Sequence, residues 1–230
     1  MQTRCFALIP AAGSGARMRG TVPKQYMALG RQPMLRYVLD TFVNTAAIAH
    51  VYLVVSADDD LIAPLLAAAP HLDQRVTLLR CGGATRHRSV LNGLEKLRPQ
   101  LADADWMLVH DAARPGVTVD LIDKLIGAVG NDEVGGLLAM PIVDTLKRGL
   151  GNRVARTVER ANLWAAQTPQ MFRYGLLLRA LQSAHDVTDE ASAIEALGFQ
   201  PLLVQGSTRN FKVTLPDDAL LAIEILKGFA

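Results

Sequence analysis

Only two cysteines, Cys5 and Cys81, occur in this chain of 230 residues, and aromatic side chains make up 5% of it. Two cysteines supply neither a zinc set nor a disulfide framework. Both fall where strands are expected and read as buried, reduced thiols of a cytoplasmic protein. Long apolar runs are missing too: none approaches the roughly 18 residues of a membrane span. Charge of one sign is also scarce. The 24 basic and 22 acidic residues leave a formal charge of +2, too little for a general nucleic-acid or membrane surface, so any basic site must be local. The stretch from Cys5 to Ala12 is short for a secretory leader and contains Pro10, so the chain is expected to stay in the cytoplasm. With no repeat, linker or low-complexity tract, the expectation is one domain over 1–230, large enough for a sizeable core.

What is present is alternation. Apolar runs at 6–9, 51–55, 76–79, 106–110 and 134–140 read as buried strands, with a late strand at 202–204. Between them, segments 33–43, 58–69, a stretch ending at Leu97, and 119–129 carry helical periodicity, followed by two helices after Gln170 and a closing helix at 216–229. Such alternation predicts an α/β fold, a mainly parallel twisted sheet with helices on both faces. Ligands bind such sheets at the carboxyl ends of the strands. From Asp144 to Arg160 the pattern changes to two polar strands around Gly149-Leu-Gly-Asn152, a hairpin expected to project as an arm and pack on a neighbouring subunit.

Three polar loops fall on the predicted carboxyl rim. The first, Pro10-Ala-Ala-Gly-Ser-Gly-Ala-Arg17, runs on to Lys24 and combines small residues with two cations, which suits a polyphosphate cradle. It lacks the third glycine of a dinucleotide fingerprint, and Thr21-Val22 stands where a P-loop has Lys-Ser/Thr. A tight strand-to-helix turn with solvated cations explains this loop equally well. The second, Gly82-Gly83 followed by Arg86, Arg88 and Ser89, places cations at a helix start, where they are unfavourable unless an anion joins them. The third, His110-Asp111-Ala-Ala-Arg114-Pro115, offers a carboxylate for Mg²⁺, although an ion pair between Asp111 and Arg114 is the competing reading. His110 reads as a packed, hydrogen-bonded histidine.

Together with Asp144-Thr145, Arg160-x-x-Leu-Trp164, Thr168-Pro-Gln170, Thr188-Asp-Glu-Ala-Ser192 and Asn210-x-Lys212-Val-Thr214, these segments resemble the 2-C-methyl-D-erythritol 4-phosphate cytidylyltransferases of the non-mevalonate isoprenoid pathway, over almost the whole chain. The resemblance implies a three-layer Rossmann-like nucleotidyltransferase fold, and a homodimer joined through the 144–160 arm. It implies transfer of CMP from CTP to methylerythritol 4-phosphate with Mg²⁺, releasing pyrophosphate. Ala11, Ala12, Gly13, Gly15, Gly83, Ser89, Asp111 and Ala112 would line the nucleotide site, with Asp111 on the metal. Arg17 and Lys24 would face the triphosphate. Thr145, Thr168, Thr188, Lys212 and the arginine at position 160 of a second copy would surround the phosphate substrate. Arg209 and Ala84 stand where acidic residues are common in the family, which leaves a second metal ligand open.

The chemistry fits these roles. A phosphate monoester dianion attacking an α-phosphate needs no general base; it needs charge neutralisation and alignment. Arg17, Lys24 and Mg²⁺ would stabilise the α-phosphate and the leaving pyrophosphate, and Arg160 and Lys212 would hold the acceptor in line. A cytidylyltransferase for another polyol phosphate such as ribitol 5-phosphate, a guanylyltransferase for molybdopterin-type acceptors, and a catalytically silent nucleotide-binding regulator are the alternatives.

Overall fold

In the computed structural model, residues 3–13, 22–184 and 187–229 are described. A seven-stranded sheet forms the middle layer: β1 (Cys5–Pro10), β4 (Ile48–Val55), β5 (Val76–Arg80), β6 (Trp106–Val109), β7 (Gly135–Pro141), β10 (Trp164–Arg173) and β11 (Leu202–Gln205). Their spatial order is β11-β7-β10-β6-β1-β4-β5. The β1–β4, β1–β6, β4–β5 and β7–β11 pairs are parallel, while β10 runs antiparallel to both β6 and β7.

The alternation of side chains along β1 explains the layering. Ala7 and Ile9 face α1 (Met34–Asn44), α2 (Ile62–Ala67) and α4 (Val119–Val129), whose Leu39, Phe42, Ile62 and Ile122 complete that side of the core. Phe6 and Leu8 face α3 (Arg86–Leu97), α5 (Tyr174–Ser183) and α6 (Glu190–Ala196) through Val90, Leu94, Leu177 and Ile194. Helix α3 lies close on the sheet because Gly93 has no side chain: a Cβ there would come within 2.8 Å of Val54 and 2.9 Å of Leu8. A third apolar group joins α7 (Pro216–Leu226) through Ala222 and Leu226 to Leu29, Met34, Ala113 and Val213. Leu29 belongs to a two-stranded ribbon, β2 (Ala28–Leu29) with β3 (Gln32–Pro33).

The structure departs from the expectations at four places. Residues 164–173 form the long strand β10, where the sequence suggested only a returning segment. Pro169 obscures it, since proline is disfavoured inside a sheet; it falls where the β10–β7 register jumps from Ala166 to Gln170, and the Thr168–Pro169 peptide is cis. Helix α2 is shorter than 58–69, because the Asp59 carboxylate accepts the N–H groups of Leu61 and Ile62 and holds Asp58–Asp60 as a capping loop. The closing helix ends at Leu226, with a 3₁₀ turn at Lys227–Phe229. The cysteines are free but only half-buried, and burial raises both thiols above their ordinary range.

The hairpin is where it was expected. Strands β8 (Leu146–Leu150) and β9 (Arg153–Val158) pair with each other as a separate sheet, turning at Gly151, whose φ of +57° suits glycine. Leu150 and Val154 on this arm are 78% and 64% exposed. Both therefore stand largely open to solvent on the subunit.

Candidate active site

The loops after β1, β5 and β6 meet at the carboxyl rim and enclose a cavity of about 560 Å³. Ala11, Ala12, Gly13, Lys24, Gly83, Ser89, Asp111, Ala112 and Lys212, all expected at the site, line it together. Gly82 lets the first two loops touch: a Cβ there would sit 2.3 Å from that of Ala12 and 2.9 Å from the Val55 carbonyl. Among the described residues nothing lies within 4 Å of where a Gly13 side chain would begin, and Gly13 lines the cavity. Ser89, on the first turn of α3, accepts the Gly83 N–H at 3.0 Å and donates to the Thr85 carbonyl at 2.9 Å, which shapes the second loop. Buried Gln25 donates to the Ala11 carbonyl at 2.7 Å and fixes the short turn at Lys24–Tyr26 against the first loop. Lys24 reaches across to the Val213 carbonyl at 3.3 Å.

Asp111 is the one carboxylate on the described wall. Its Oδ1 accepts Arg86 Nε at 2.6 Å, its Oδ2 accepts Lys212 Nζ at 2.7 Å, and Arg114 Nε stands 3.9 Å from Oδ2. Burial opposes ionisation of Asp111, but the charges of Arg86 and Lys212 outweigh it and hold this carboxyl far below the usual range. Burial likewise opposes charge on Arg86, and there Glu190 and Asp111 overcome it, raising the guanidinium above its ordinary value.

A neutral relay holds the backbone of this corner. The Asp111 N–H donates to Thr168 Oγ1 at 3.0 Å, and Thr168 lies 3.1 Å from His110 Nδ1. His110 Nε2 is 3.2 Å from the Arg114 carbonyl. A carbonyl only accepts, so Nε2 carries the proton and Nδ1 accepts from the threonine hydroxyl. His110 is fully buried, and burial pushes its pKa down to about 3, keeping the ring neutral. It is the packed histidine that its setting suggested.

The other expected residues are placed elsewhere. Gly15 and Arg17 lie outside the described residues. Thr168 is buried, its hydroxyl engaged in the relay. Thr145 and Arg160 are exposed at the root of the arm, where Arg160 donates to the Val143 carbonyl. Thr188 is exposed just before α6, its N–H on Ser192 Oγ at 3.2 Å. None of these four lines the cavity of its own chain. Arg209 packs its guanidinium toward the Ile225 carbonyl and is also off the cavity wall.

A hard cation such as Mg²⁺ takes one or two carboxylates and fills its shell with phosphate oxygens and water. No group of three or more metal-ligating His, Cys, Asp or Glu side chains occurs among the described residues. The wall therefore fits a cation brought in with phosphates better than one held in a protein cage. Asp111 Oδ2 is the oxygen suited to it, because Lys212, which holds it, has a side chain 36% exposed and can exchange toward an arriving phosphate.

The family model for 2-C-methyl-D-erythritol 4-phosphate cytidylyltransferase, IspD, matches residues 5–228. This chain belongs to that family. The cytidylyltransferase of Ralstonia nicotianae is 54% identical over 240 aligned residues, covering 99% of this chain and 93% of the relative, and that of Paraburkholderia phymatum is 50% identical with 98% of each covered. A solved 4-diphosphocytidyl-2C-methyl-D-erythritol synthase superimposes with a TM-score of 0.87 at 42% identity, covering 98% of this chain and 99% of the other. The cytidylyltransferase structure from Francisella tularensis gives 0.82 at 32% identity, with 97% and 100% covered. The chain is thus an α/β cytidylyltransferase of isoprenoid precursor synthesis. In a cytidylyltransferase the cavity has to hold a triphosphate beside an acceptor phosphate, and a wall of small residues, three cations and one carboxylate meets that demand.

Proposed function

We propose that this cytidylyltransferase moves CMP from CTP to 2-C-methyl-D-erythritol 4-phosphate in the carboxyl-rim cavity, forming 4-diphosphocytidyl-2-C-methyl-D-erythritol and pyrophosphate. The pairing of Arg86 and Lys212 with Asp111, on the cavity wall that Lys24 and Gly13 also line, carries this reading. The acceptor phosphate supplies the nucleophilic oxygen, so the protein aligns and neutralises rather than removing a proton. Ala11, Ala12, Gly13, Gly83 and Ala112 let the nucleotide approach the backbone. Lys24, with Arg17, neutralises the α-phosphate and leaving pyrophosphate. Lys212 would bind the acceptor phosphate, and Asp111 Oδ2 would be the oxygen to hold Mg²⁺, which would supply further charge neutralisation when bound. Thr145, Thr188 and the arginine at position 160 of a second copy complete the acceptor side.

The reading takes 1–230 as a single nucleotidyltransferase domain and the 144–160 arm as the homodimer contact, supported by the exposed Val143, Leu150 and Val154. A cytoplasmic setting is supported by the two free cysteines, and no described helix is long and apolar enough to cross a membrane. The test incubates the protein with each nucleoside triphosphate, Mg²⁺ and methylerythritol, ribitol or other polyol phosphates, and follows pyrophosphate. Release confined to CTP with methylerythritol phosphate is expected. Faster release with another acceptor overturns the substrate assignment, and CTP binding without release for any acceptor points to a regulator.

A further inference from the structure

We infer that Glu190 is a positioning residue for Asp111, acting through Arg86; the inference rests on the assignment of the cavity to CTP and its cation. Glu190 is 1% exposed at the start of α6, two residues after the expected Thr188 and 104 positions from Arg86. Its two oxygens accept Arg86 Nη1 at 2.7 Å and Nη2 at 2.9 Å, a two-pronged carboxylate–guanidinium pair. The same guanidinium sends Nε to Asp111 Oδ1 at 2.6 Å. One planar group thus spans two buried carboxylates. Because the guanidinium is rigid, locking its terminal nitrogens on Glu190 fixes where the Nε–H points.

Glu190 is itself anchored. Gln170, 1% exposed on β10, accepts the Ala191 N–H at 2.8 Å and donates to Asp189 Oδ2 at 2.8 Å. Asp189 in turn caps α6 by accepting the Ser192 N–H at 3.0 Å. The chain of contacts runs from β10 through α6 to Arg86 and ends on one oxygen of Asp111. That oxygen is committed, so Oδ2 alone is available for exchange between Lys212 and an incoming cation. With the charge of Glu190 removed, Arg86 loses its outer carboxylate and turns its fork on Asp111, whose two oxygens match it. Oδ2 is then withdrawn from the cation.

The test is calorimetric titration of CTP into the intact protein, with and without Mg²⁺, on wild type, Glu190→Gln and Arg86→Lys. Circular dichroism checks that each variant folds. In wild type, Mg²⁺ is expected to tighten CTP binding. Glu190→Gln should keep the metal-free Kd within about twofold while its Mg²⁺-dependent gain shrinks by about fivefold or more. Arg86→Lys should lose the gain similarly, since an ammonium cannot span both carboxylates, and adding Glu190→Gln to it should cost little more. A folded Glu190→Gln variant with the wild-type gain overturns the inference, as does a wild type that binds CTP equally well without metal. If Glu190→Gln does not fold, Arg86→Lys decides by the same readout. A wild type that binds no CTP sinks the cavity assignment itself, which is a separate outcome.

Discussion

Lys24 and Asp111 show how single side chains acquire roles from their setting. Lys24 lies on the cavity wall and approaches the Val213 carbonyl, and a triphosphate bound there would bring it a counter-charge. Removing one preorganised charge from such a site typically costs on the order of 10²–10³ in rate. Lys24→Ala is expected to lose at least about tenfold in turnover while its melting temperature stays within a few degrees of wild type. Near wild-type turnover of pyrophosphate release would remove Lys24 from the catalytic set. Both were singled out in the sequence, Lys24 as a cation closing a small-residue loop and Asp111 as a carboxylate after an apolar strand, although a structural reading stood beside each. The fold brings them to one cavity wall. Glu190 was not legible as a site residue. In the sequence it is an acidic residue in a helix's first turn, and its partner Arg86 lies 104 positions away. Thr168 was expected on the acceptor side from the resemblance alone; the structure buries it off the cavity wall, in a contact with His110 that spans 58 positions.

At the scale of elements, the arm folds only on itself, and this makes it separable. Strands β8 and β9 pair with no other strand, so their loss leaves the seven-stranded sheet and its core intact. Replacing residues 146–157 with a short Gly-Ser link is expected to leave far-UV dichroism close to wild type. Sedimentation is expected to report a dimer for wild type and a monomer for the variant, and pyrophosphate release should fall by about tenfold or more if the arginine of a second copy completes the site. A wild type that sediments as a monomer counts against any role for Arg160 across subunits. The arm was readable because charge on both faces of two short strands leaves nothing to bury within one domain. Strand β10 was unreadable for the opposite reason. It is buried from Gln167 to Phe172, but Pro169 interrupts the pattern that would have marked it, and only the register jump at Ala166/Gln170 makes room for it.

For the molecule as a whole, the antiparallel β10 brings the C-terminal half of the chain to the site built by the N-terminal half. The alternation of segments predicted the parallel strands; it carried no signal for where β10 inserts, because pairing partners are chosen by packing across the sheet. That insertion places Thr168 beside His110, and the neutral histidine couples the join to pH. His110 titrates at about 3 in the folded protein, below the ordinary value of 6.5 that it regains on unfolding. The unfolded chain therefore binds the proton first, and stability falls as pH drops through the window from about 6.5 toward 3. Asp111 adds to the loss as pH falls through the ordinary carboxylate range, where the unfolded chain takes up the proton that Arg86 and Lys212 keep off the folded one. From pH 6.5 to 4.5 the histidine contribution is of order 2 kcal/mol, about 1.4 kcal/mol for each unit once the unfolded form is protonated. Urea denaturation of the nucleotide-free protein across this range should show the midpoint falling with acid. His110→Asn keeps an acceptor facing Thr168 but cannot titrate, so its midpoint should start lower and fall less steeply, by about one proton's worth of slope. An unchanged slope in that variant would place the acid sensitivity elsewhere and leave the relay without a part in it.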